Sequence, residues 1–362
     1  MTKLNIKPIR FKTTVRYVQK ILLFGLLLLP LLIALCIDYF RVPETITESE
    51  KIPLIIGRGS TINAIADSLY NKKLINDKDL FILWLTTLDK DRQIKAGYYE
   101  IPTGLNYAQL ISFLSHSSSK EIKVTLIEGW RIEDIAEELH QRLQVDKDRF
   151  ISLARDSAFI SELGIRAPTL EGYLLPDTYL FYWGVDAESV IRYLVDRCLD
   201  LFTDKALEQI KKQNLNIHQT LTLASIIEGE AIFDDEREII SSVYHNRLKR
   251  RIKLQADPTI QYILSGPPRR LLLKDLEIES PYNTYKYYGL PPGPISNPGK
   301  NSIHAAIYPA QTDYIYFVAR GDGRHTFSRN AAEHRQAKEE FDKVRREINR
   351  NKRASKSKRE SQ

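Results

Sequence analysis

Residues 221–258 place the strongest constraint on how this chain can fold. They read LTLASIIEGEAIFDDEREIISSVYHNRLKRRIKLQADP. Leu221, Ala224 and Ile227 have the i, i+3 spacing of an apolar helix face, and Glu228 and Glu230 follow where that face ends. Burial disfavours the charged form of a carboxyl group, as a general acid near neutral pH requires. The alternative interpretation is that both glutamates cap and solvate a helix end.

A second amphipathic helix is predicted directly after the two glutamates. Asp235 and Glu238 have the D-x-x-E spacing of a capping box. Its buried stripe is predicted to comprise Ile239, Ile240, Val243, Tyr244 and Leu248.

The N-terminal residues predict a membrane anchor. Residues 21–37 form an uncharged apolar run, near the short end for a bilayer span, and six Lys or Arg but no acid occur within residues 1–20. We therefore expect a cytoplasmic basic tail (1–20), a single transmembrane helix (21–40) and all later residues on the outer face of the cytoplasmic (inner) membrane. A second basic stretch, 343–362, is predicted to be a disordered tail.

The rest of the chain predicts an α+β fold with two parts. Residues 45–120 alternate strand, helix, helix, strand and helix patterns, which suits either a small LysM-like glycan-binding module or a stalk domain without a ligand. Residues 121–342 are assigned to a larger α+β catalytic domain. Within it, 123–130 is predicted to be a strand, and the aromatic stretch 170–184 is predicted to line a groove or to pack in the core. Residues 313–330 are predicted to form a hairpin.

Several segments together make the chain similar to the endolytic murein transglycosylase family (MltG, or YceG-like). These are EGW (128–130), EGYLLPDTY (171–179), LASIIEGEA (223–231), NRL (246–248), LQADPT (254–259), YNTY (282–285), GLPPGPISNPG (289–299) and HTF (325–327). The resemblance covers about residues 45–340. This chain departs from the family pattern at Gly229, where the family usually has lysine.

The resemblance implies a membrane-anchored peptidoglycan lytic transglycosylase in which Glu228 is the catalytic acid/base. Such enzymes cleave the β-1,4 bond between N-acetylmuramic acid (MurNAc) and N-acetylglucosamine (GlcNAc) within glycan strands and leave a 1,6-anhydro-MurNAc end. Because Glu228 and Glu230 are two positions apart on a helix, they point to different sides and form a poor acid/nucleophile pair. That spacing favours a mechanism with one carboxyl group.

Further polar residues are candidates for contacts with the substrate. Gln255 and Asp257 can hydrogen-bond a polar ligand, although Asp257 before Pro258 also suits the start of a helix. The full set of substrate-binding candidates is Glu230, Gln255, Asp257, Thr259, Tyr282, Asn283 and Glu171.

Two other functions remain open from the sequence. One is a hydrolytic muramidase, in which Asp257 or Glu230 activates water, and the other is a non-catalytic glycan-binding scaffold. The two cysteines and the scattered histidines predict no metal site, and no cofactor is expected. The positive charge lies at the two ends of the chain, which argues against nucleic acid as a partner. The expected partners are glycan strands, the membrane and, from the resemblance, cell-wall synthases.

Overall fold

The computed structural model describes residues 51–57, 59–117 and 120–360, together with positions 20, 24, 26, 29, 33, 34, 37, 39 and 40. Most of the predicted transmembrane helix (21–40) lies outside these residues. Among the described residues, no helix combines the length and the apolar character that crossing a bilayer requires. The chain divides into two compact units, the first ending at Glu121 and also including Tyr182–Gly184.

The first unit is a small α+β structure. Its elements are β1 (Lys51–Ile56), α1 (Ile62–Asn71), α2 (Lys78–Thr87), β2 (Gly97–Pro102) and α3 (Tyr107–His116). The two strands pair antiparallel, with Leu54 opposite Tyr99, and both side chains are buried. Thr61, Asp77 and Asn106 accept hydrogen bonds from backbone N–H groups in the first turns of their helices, which explains where each helix begins.

The first half of the second unit surrounds one short sheet. Strands β3 (Glu121–Thr125) and β4 (Thr178–Tyr182) pair with each other. The helices of this half are α4 (Ile132–Leu143), α5 (Lys147–Leu153), α6 (Ser157–Glu162), α7 (Ala187–Leu199) and α8 (Asp204–Lys212).

The second half of this unit is built on a buried helix. That helix is α9 (Ile217–Glu230), whose residues 220–227 are all buried. It is followed by α10 (Asp234–Lys249), α11 (Asp257–Ile263), a short 3₁₀ helix (Leu273–Glu277), α12 (Lys300–Ile307), the hairpin of β5 (Tyr316–Ala319) and β6 (His325–Ser328), and α13 (Ala331–Glu360). The mixed α+β class and the hairpin are as predicted.

Asn297 fixes the loops that surround the C-terminal end of α9. Its fully buried amide nitrogen donates to the Trp130 carbonyl oxygen (3.0 Å) and to Glu171 Oε1 (2.7 Å). Its amide oxygen accepts from the backbone N–H groups of Gly172 (2.9 Å) and Leu174 (3.1 Å). Through one side chain, the segments EGW, EGYLLP and ISNPG are therefore held together.

Three predictions about local structure differ from the structure. The strand predicted at 123–130 ends at Thr125, because the backbone N–H of Gly129 turns to donate to the Asn297 carbonyl oxygen. For the aromatic stretch 170–184, the second of the two alternatives holds at Tyr173, Tyr179 and Phe181, which pack in the core.

The other two differences concern helix ends. Asp235 and Glu238 form no capping box, because α10 begins after Phe233 and Asp235 instead pairs with Arg324. The basic tail predicted to be disordered is helical through Glu360, consistent with a stretch rich in good helix formers and free of Gly and Pro.

Replacing Asn297 should destabilise the protein far more than an equivalent change on the surface. Asn297→Gly removes four hydrogen bonds to buried groups, and we expect the free energy of unfolding to fall by about 4 kcal/mol. Asn214→Gly is the control, since this exposed residue has a left-handed backbone (φ 57°) that glycine adopts readily. Denaturant unfolding of the full chain measures both. Equal, small effects would contradict the role assigned to Asn297.

Candidate active site

The C-terminal end of α9 presents Glu228 at the edge of the core. The helix begins with a capping box between Asn216 and Gln219, and its apolar residues are buried on all sides. Glu228 lies in the last turn, and its side chain is only 7% exposed. The sequence pattern therefore placed this carboxyl group correctly, at the exit of a buried helix.

Both carboxylate oxygens of Glu228 accept hydrogen bonds from fixed donors. Oε1 accepts from Arg237 Nη1 (2.9 Å), and Oε2 accepts from the backbone N–H of Gly299 (2.8 Å). Arg237, itself buried, also donates to Asp234 Oδ1 (2.8 Å) and to the Ser302 hydroxyl. These contacts hold the carboxyl group of Glu228 in one orientation.

Glu128, which was not among the predicted site residues, lies beside Glu228. Its Oε2 is 4.0 Å from Arg237 Nη2, and its carboxyl group packs against the Cα of Gly299 so closely that a Cβ there would lie 2.0 Å from Oε1. Burial, followed by the charge of Glu228, raises the pKa of Glu128. Glu128 belongs to the EGW segment, so the resemblance offered a signal for it that periodicity did not.

Glu230 faces a different set of groups. Its carboxylate accepts a hydrogen bond from the Tyr244 hydroxyl (3.2 Å). Burial raises the pKa of Glu230 to about 7, and the charge of Asp257 adds to the shift. Because Glu228 instead contacts Arg237 and Gly299, the two glutamates have separate partners, as their spacing implied.

Gly229 lets the end of α9 pack closely on α11. A Cβ at this position would lie 2.6 Å from Pro258 Cβ, so any side chain here requires Pro258 to move. The glycine in place of the usual lysine thus changes packing as well as charge.

Asp257 and Gln255 are the exposed members of the predicted set. Asp257 Oδ1 accepts a hydrogen bond from the Tyr285 hydroxyl (2.5 Å), and the side chain does not cap α11. Gln255 has a left-handed backbone (φ 49°) and donates its N–H to the Thr284 carbonyl oxygen. Both side chains are exposed to solvent.

Thr259 and Asn283 are fully buried and support the backbone. The Thr259 hydroxyl donates to the Ala256 carbonyl oxygen (2.7 Å). The amide nitrogen of Asn283 donates to the carbonyl oxygens of Leu276 (3.0 Å) and Ile278 (2.7 Å). Their polar atoms are thus used within the fold.

Tyr282 and Glu171 lie in the surroundings of Arg131. The Tyr282 ring packs on Tyr262 at 4.8 Å between centroids, and the Arg131 guanidinium lies over Tyr262. Glu171 is buried, and its carboxyl group accepts a hydrogen bond from the amide of Asn297. Burial raises the pKa of Glu171 to about 8.

The structure therefore groups the predicted residues only in part. Glu230 and Asp257 lie close to each other, and Glu171 connects through Asn297 to the EGW segment. Within the described ranges, no hydrogen bond or ion pair joins Glu228 to any of the other predicted residues. The residues that contact it are instead Arg237 and Gly299, with Glu128 adjacent.

A separate cavity of about 990 Å³ lies at the opposite end of α9. Its lining includes Lys212, His218, His245, Lys249 and Pro292, and it contains none of the predicted site residues. None of the residues that line it carries a carboxyl group. Elsewhere in the part of the chain that the structure describes, no three His, Cys, Asp or Glu side chains are grouped to hold a metal ion.

The comparisons with known proteins define the family. The sequence matches the profile of the YceG-like family over residues 54–340. This chain therefore belongs to the YceG-like family, whose curated relatives carry the name endolytic murein transglycosylase.

Two relatives and one solved structure illustrate the match. The endolytic murein transglycosylase of Bacillus subtilis is 34% identical over 79% of this chain and 83% of its own length. That of Streptococcus pneumoniae strain R6 is 28% identical over 81% of this chain, which spans 58% of that protein. A crystal structure of a yceG-like protein from Listeria monocytogenes has a TM-score of 0.56 and 35% identity, covering 79% of this chain and 98% of that one.

The buried Glu171 should make stability depend on pH. Its pKa is about 8 in the folded protein against an ordinary 4.5, so the unfolded chain loses this proton first as the pH rises. The contribution of Glu171 is therefore fully present below about pH 4.5 and is lost between there and about pH 8.

Glu171→Gln should remove this part of the pH dependence. We expect a flatter plot of the free energy of unfolding against pH over that interval than in the wild type, measured by denaturant titration. Glu208→Gln, at an exposed position on α8, should leave the slope unchanged. If Glu171→Gln kept the wild-type slope, Glu171 would not be the group responsible.

Proposed function

We propose that this chain is a peptidoglycan lytic transglycosylase that uses Glu228 as its catalytic acid/base. The enzyme class rests on relatives named endolytic murein transglycosylase that match most of the chain. The observation that carries the role of Glu228 is its carboxyl group, which is fixed at the end of a buried helix by Arg237 and Gly299. A general acid/base must be held in this way to meet the substrate in one orientation.

The proposed reaction breaks the β-1,4 bond between MurNAc and GlcNAc without water. A proton passes to the leaving O4 as the C1–O4 bond breaks. The 6-hydroxyl of the same MurNAc attacks C1 and gives up its proton to the site. The product is a 1,6-anhydro-MurNAc end, and the site returns to its starting number of protons.

The proposed substrate contacts follow the exposure of each side chain. Asp257 and Gln255 are exposed and available to hydrogen-bond a sugar, while Tyr282 offers a half-buried aromatic ring. Thr259 and Asn283 instead hold the backbone that positions these groups. Glu230 and Glu171 are likewise proposed to support the site through their hydrogen bonds, to Tyr244 and to Asn297.

A hydrolytic muramidase is the second candidate, and one observation favours keeping it. Hydrolysis with a conventional mechanism requires two carboxyl groups near the scissile bond. The sequence argument against such a pair considered Glu228 with Glu230, but the structure places Glu128 next to Glu228. Only the reaction product separates the two chemistries.

Mass spectrometry of the muropeptides released from glycan strands tests the proposal. The full chain should release 1,6-anhydro-MurNAc ends, and Glu228→Gln should lower the rate by a factor of about 10² to 10⁴. Glu208→Gln, which makes the same chemical change at an exposed site, should be as active as the wild type.

Other outcomes of that digestion have definite meanings. Reducing MurNAc ends that disappear with Glu228→Gln would establish the muramidase. Strands that both proteins bind but leave intact would favour the non-catalytic scaffold. Full activity of Glu228→Gln would contradict the role of this residue.

We further propose that the N-terminal part attaches the enzyme to the cell envelope. The uncharged run 21–37 and the charges before it support a single-pass anchor in the cytoplasmic membrane, with the catalytic unit outside. The strand–helix–helix–strand order of the first unit supports a LysM-like contact with glycan. Association with cell-wall synthases stays a prediction from the resemblance.

Fractionation tests both attachments. We expect the full chain in the membrane fraction after alkaline carbonate washing, and a variant lacking residues 1–37 in the supernatant. That variant should still sediment with purified insoluble murein if the first unit binds glycan. Release of the full chain by carbonate would contradict a transmembrane anchor. A truncated variant that remains in the supernatant when murein is sedimented would contradict glycan binding by the first unit.

A further inference from the structure

Glu128 and Glu228 approach the same two groups from different segments. Arg237 Nη1 is 2.9 Å from Glu228 Oε1, and Nη2 of the same guanidinium is 4.0 Å from Glu128 Oε2. Gly299 donates its N–H to Glu228, while its Cα lies against the carboxyl group of Glu128. A Cβ on Gly129 would lie 3.7 Å from Glu228 Cγ, so the loop that carries Glu128 packs on Glu228 itself.

The carboxyl groups of Glu128 and Glu228 differ in their exposure and in the hydrogen bonds that they accept. Glu228 is 7% exposed, and each of its oxygens accepts a hydrogen bond. Glu128 is 46% exposed, and among the residues described no donor forms a hydrogen bond to its carboxyl group. Glu128 therefore presents toward solvent a carboxyl group that accepts no hydrogen bond from the described residues and lies 4.0 Å from Arg237, beside the fixed carboxyl group of Glu228.

The surroundings of Glu128 favour its protonated form. Burial and the charge of Glu228 raise its pKa, and Asp234 and Asp177 act in the same direction. Arg237 opposes them, but it is also paired with Glu228 and Asp234. Asp177, in turn, is paired with Lys300. Glu128 and Glu228 therefore lie beside the same cation, at 4.0 Å and 2.9 Å from its guanidinium nitrogens.

We propose that Glu128 is a second proton-carrying group of this site and shares one catalytic proton with Glu228. This inference rests on the proposed function and deepens it. The pair holds one proton before cleavage and passes it to O4 as the C1–O4 bond breaks. It then accepts the 6-hydroxyl proton as the O6–C1 bond forms, so it ends with one proton and consumes no water.

A shared proton explains how Glu228 can serve as an acid beside a buried arginine. Both oxygens of Glu228 already accept hydrogen bonds, from Arg237 (2.9 Å) and from the N–H of Gly299 (2.8 Å), which leaves no unoccupied oxygen on Glu228 to carry a proton. A neighbouring carboxyl group that holds the proton removes this conflict, because the pair need never carry two negative charges while substrate is bound.

Three variants of the full chain test the proposal. Glu128→Gln removes the titrating group but keeps its size. Gly299→Ala keeps both carboxyl groups and pushes Glu128 away, since the new Cβ would meet its carboxyl group and the backbone φ of −72° suits alanine. Glu208→Gln is the control for a charge change elsewhere. Thermal unfolding establishes that each variant is folded.

The readouts are the anhydro-MurNAc product and the pH profile of kcat/KM. We expect Glu128→Gln to lower kcat by about 10² or more, with little change in KM, and to shift the alkaline limb of the profile by about one pH unit or more. Gly299→Ala should lower kcat in the same way, and Glu208→Gln should match the wild type. A group that only supports the loop would leave the position of the alkaline limb unchanged.

The possible results separate the two proposals. If the wild type yields anhydro ends but a folded Glu128→Gln keeps its rate and its pH profile, the shared proton is contradicted and the proposed function stands. If Glu128→Gln loses rate without any shift of the alkaline limb, the proton-carrying role is likewise contradicted. If the wild type yields no anhydro ends, the proposed function is contradicted, and the shared proton, which rests on it, is contradicted with it.

Discussion

The buried guanidinium of Arg237 is the interaction on which the candidate active site depends. A cation that is only 7% exposed must be compensated by nearby acceptors, because desolvation of an unpaired charge costs several kcal/mol. Asp234, Glu228 and the Ser302 hydroxyl meet this requirement, and they come from α10, α9 and α12. The guanidinium of Arg237 thus joins three helices through its hydrogen bonds and fixes the orientation of Glu228.

The loops around this point are held by a second polar group, the amide of Asn297. It joins segments that are far apart in sequence, and without it the backbone near Trp130 and Gly172 would lose buried hydrogen bonds. The same loop presents the N–H of Gly299 to Glu228, two residues further on. The ISNPG segment therefore does two things: Asn297 holds the loops together, and Gly299 positions the carboxyl group of Glu228.

Much of the fold could be predicted from the sequence, because its helices have regular apolar spacing. The end of α9 at Glu230, the capping of α1 by Thr61 and the hairpin after Tyr314 all follow from local patterns. The strand predicted through 130 failed because its end is set by a hydrogen bond to Asn297, which no local pattern contains.

The site could be predicted only where one helix determines it. Glu228 stands out because an apolar helix ends there, whereas Glu128 comes from a loop a hundred positions earlier and lies beside it only in the tertiary structure, against Gly299 and Arg237. Thr259 and Asn283 show the opposite difficulty. In a turn-rich segment, the same polar side chains can bind a ligand or satisfy buried backbone groups, and here they do the second.

The most direct test of this account is a crystal structure of the Glu228→Gln variant with a bound murein glycan fragment. The account predicts a glycosidic oxygen within hydrogen-bonding distance of the side chain at position 228, with the carboxyl group of Glu128 adjacent to the same sugar. A fragment bound with its scissile bond beside Glu230 and Asp257, or in the cavity near His218 and Lys249, would contradict it.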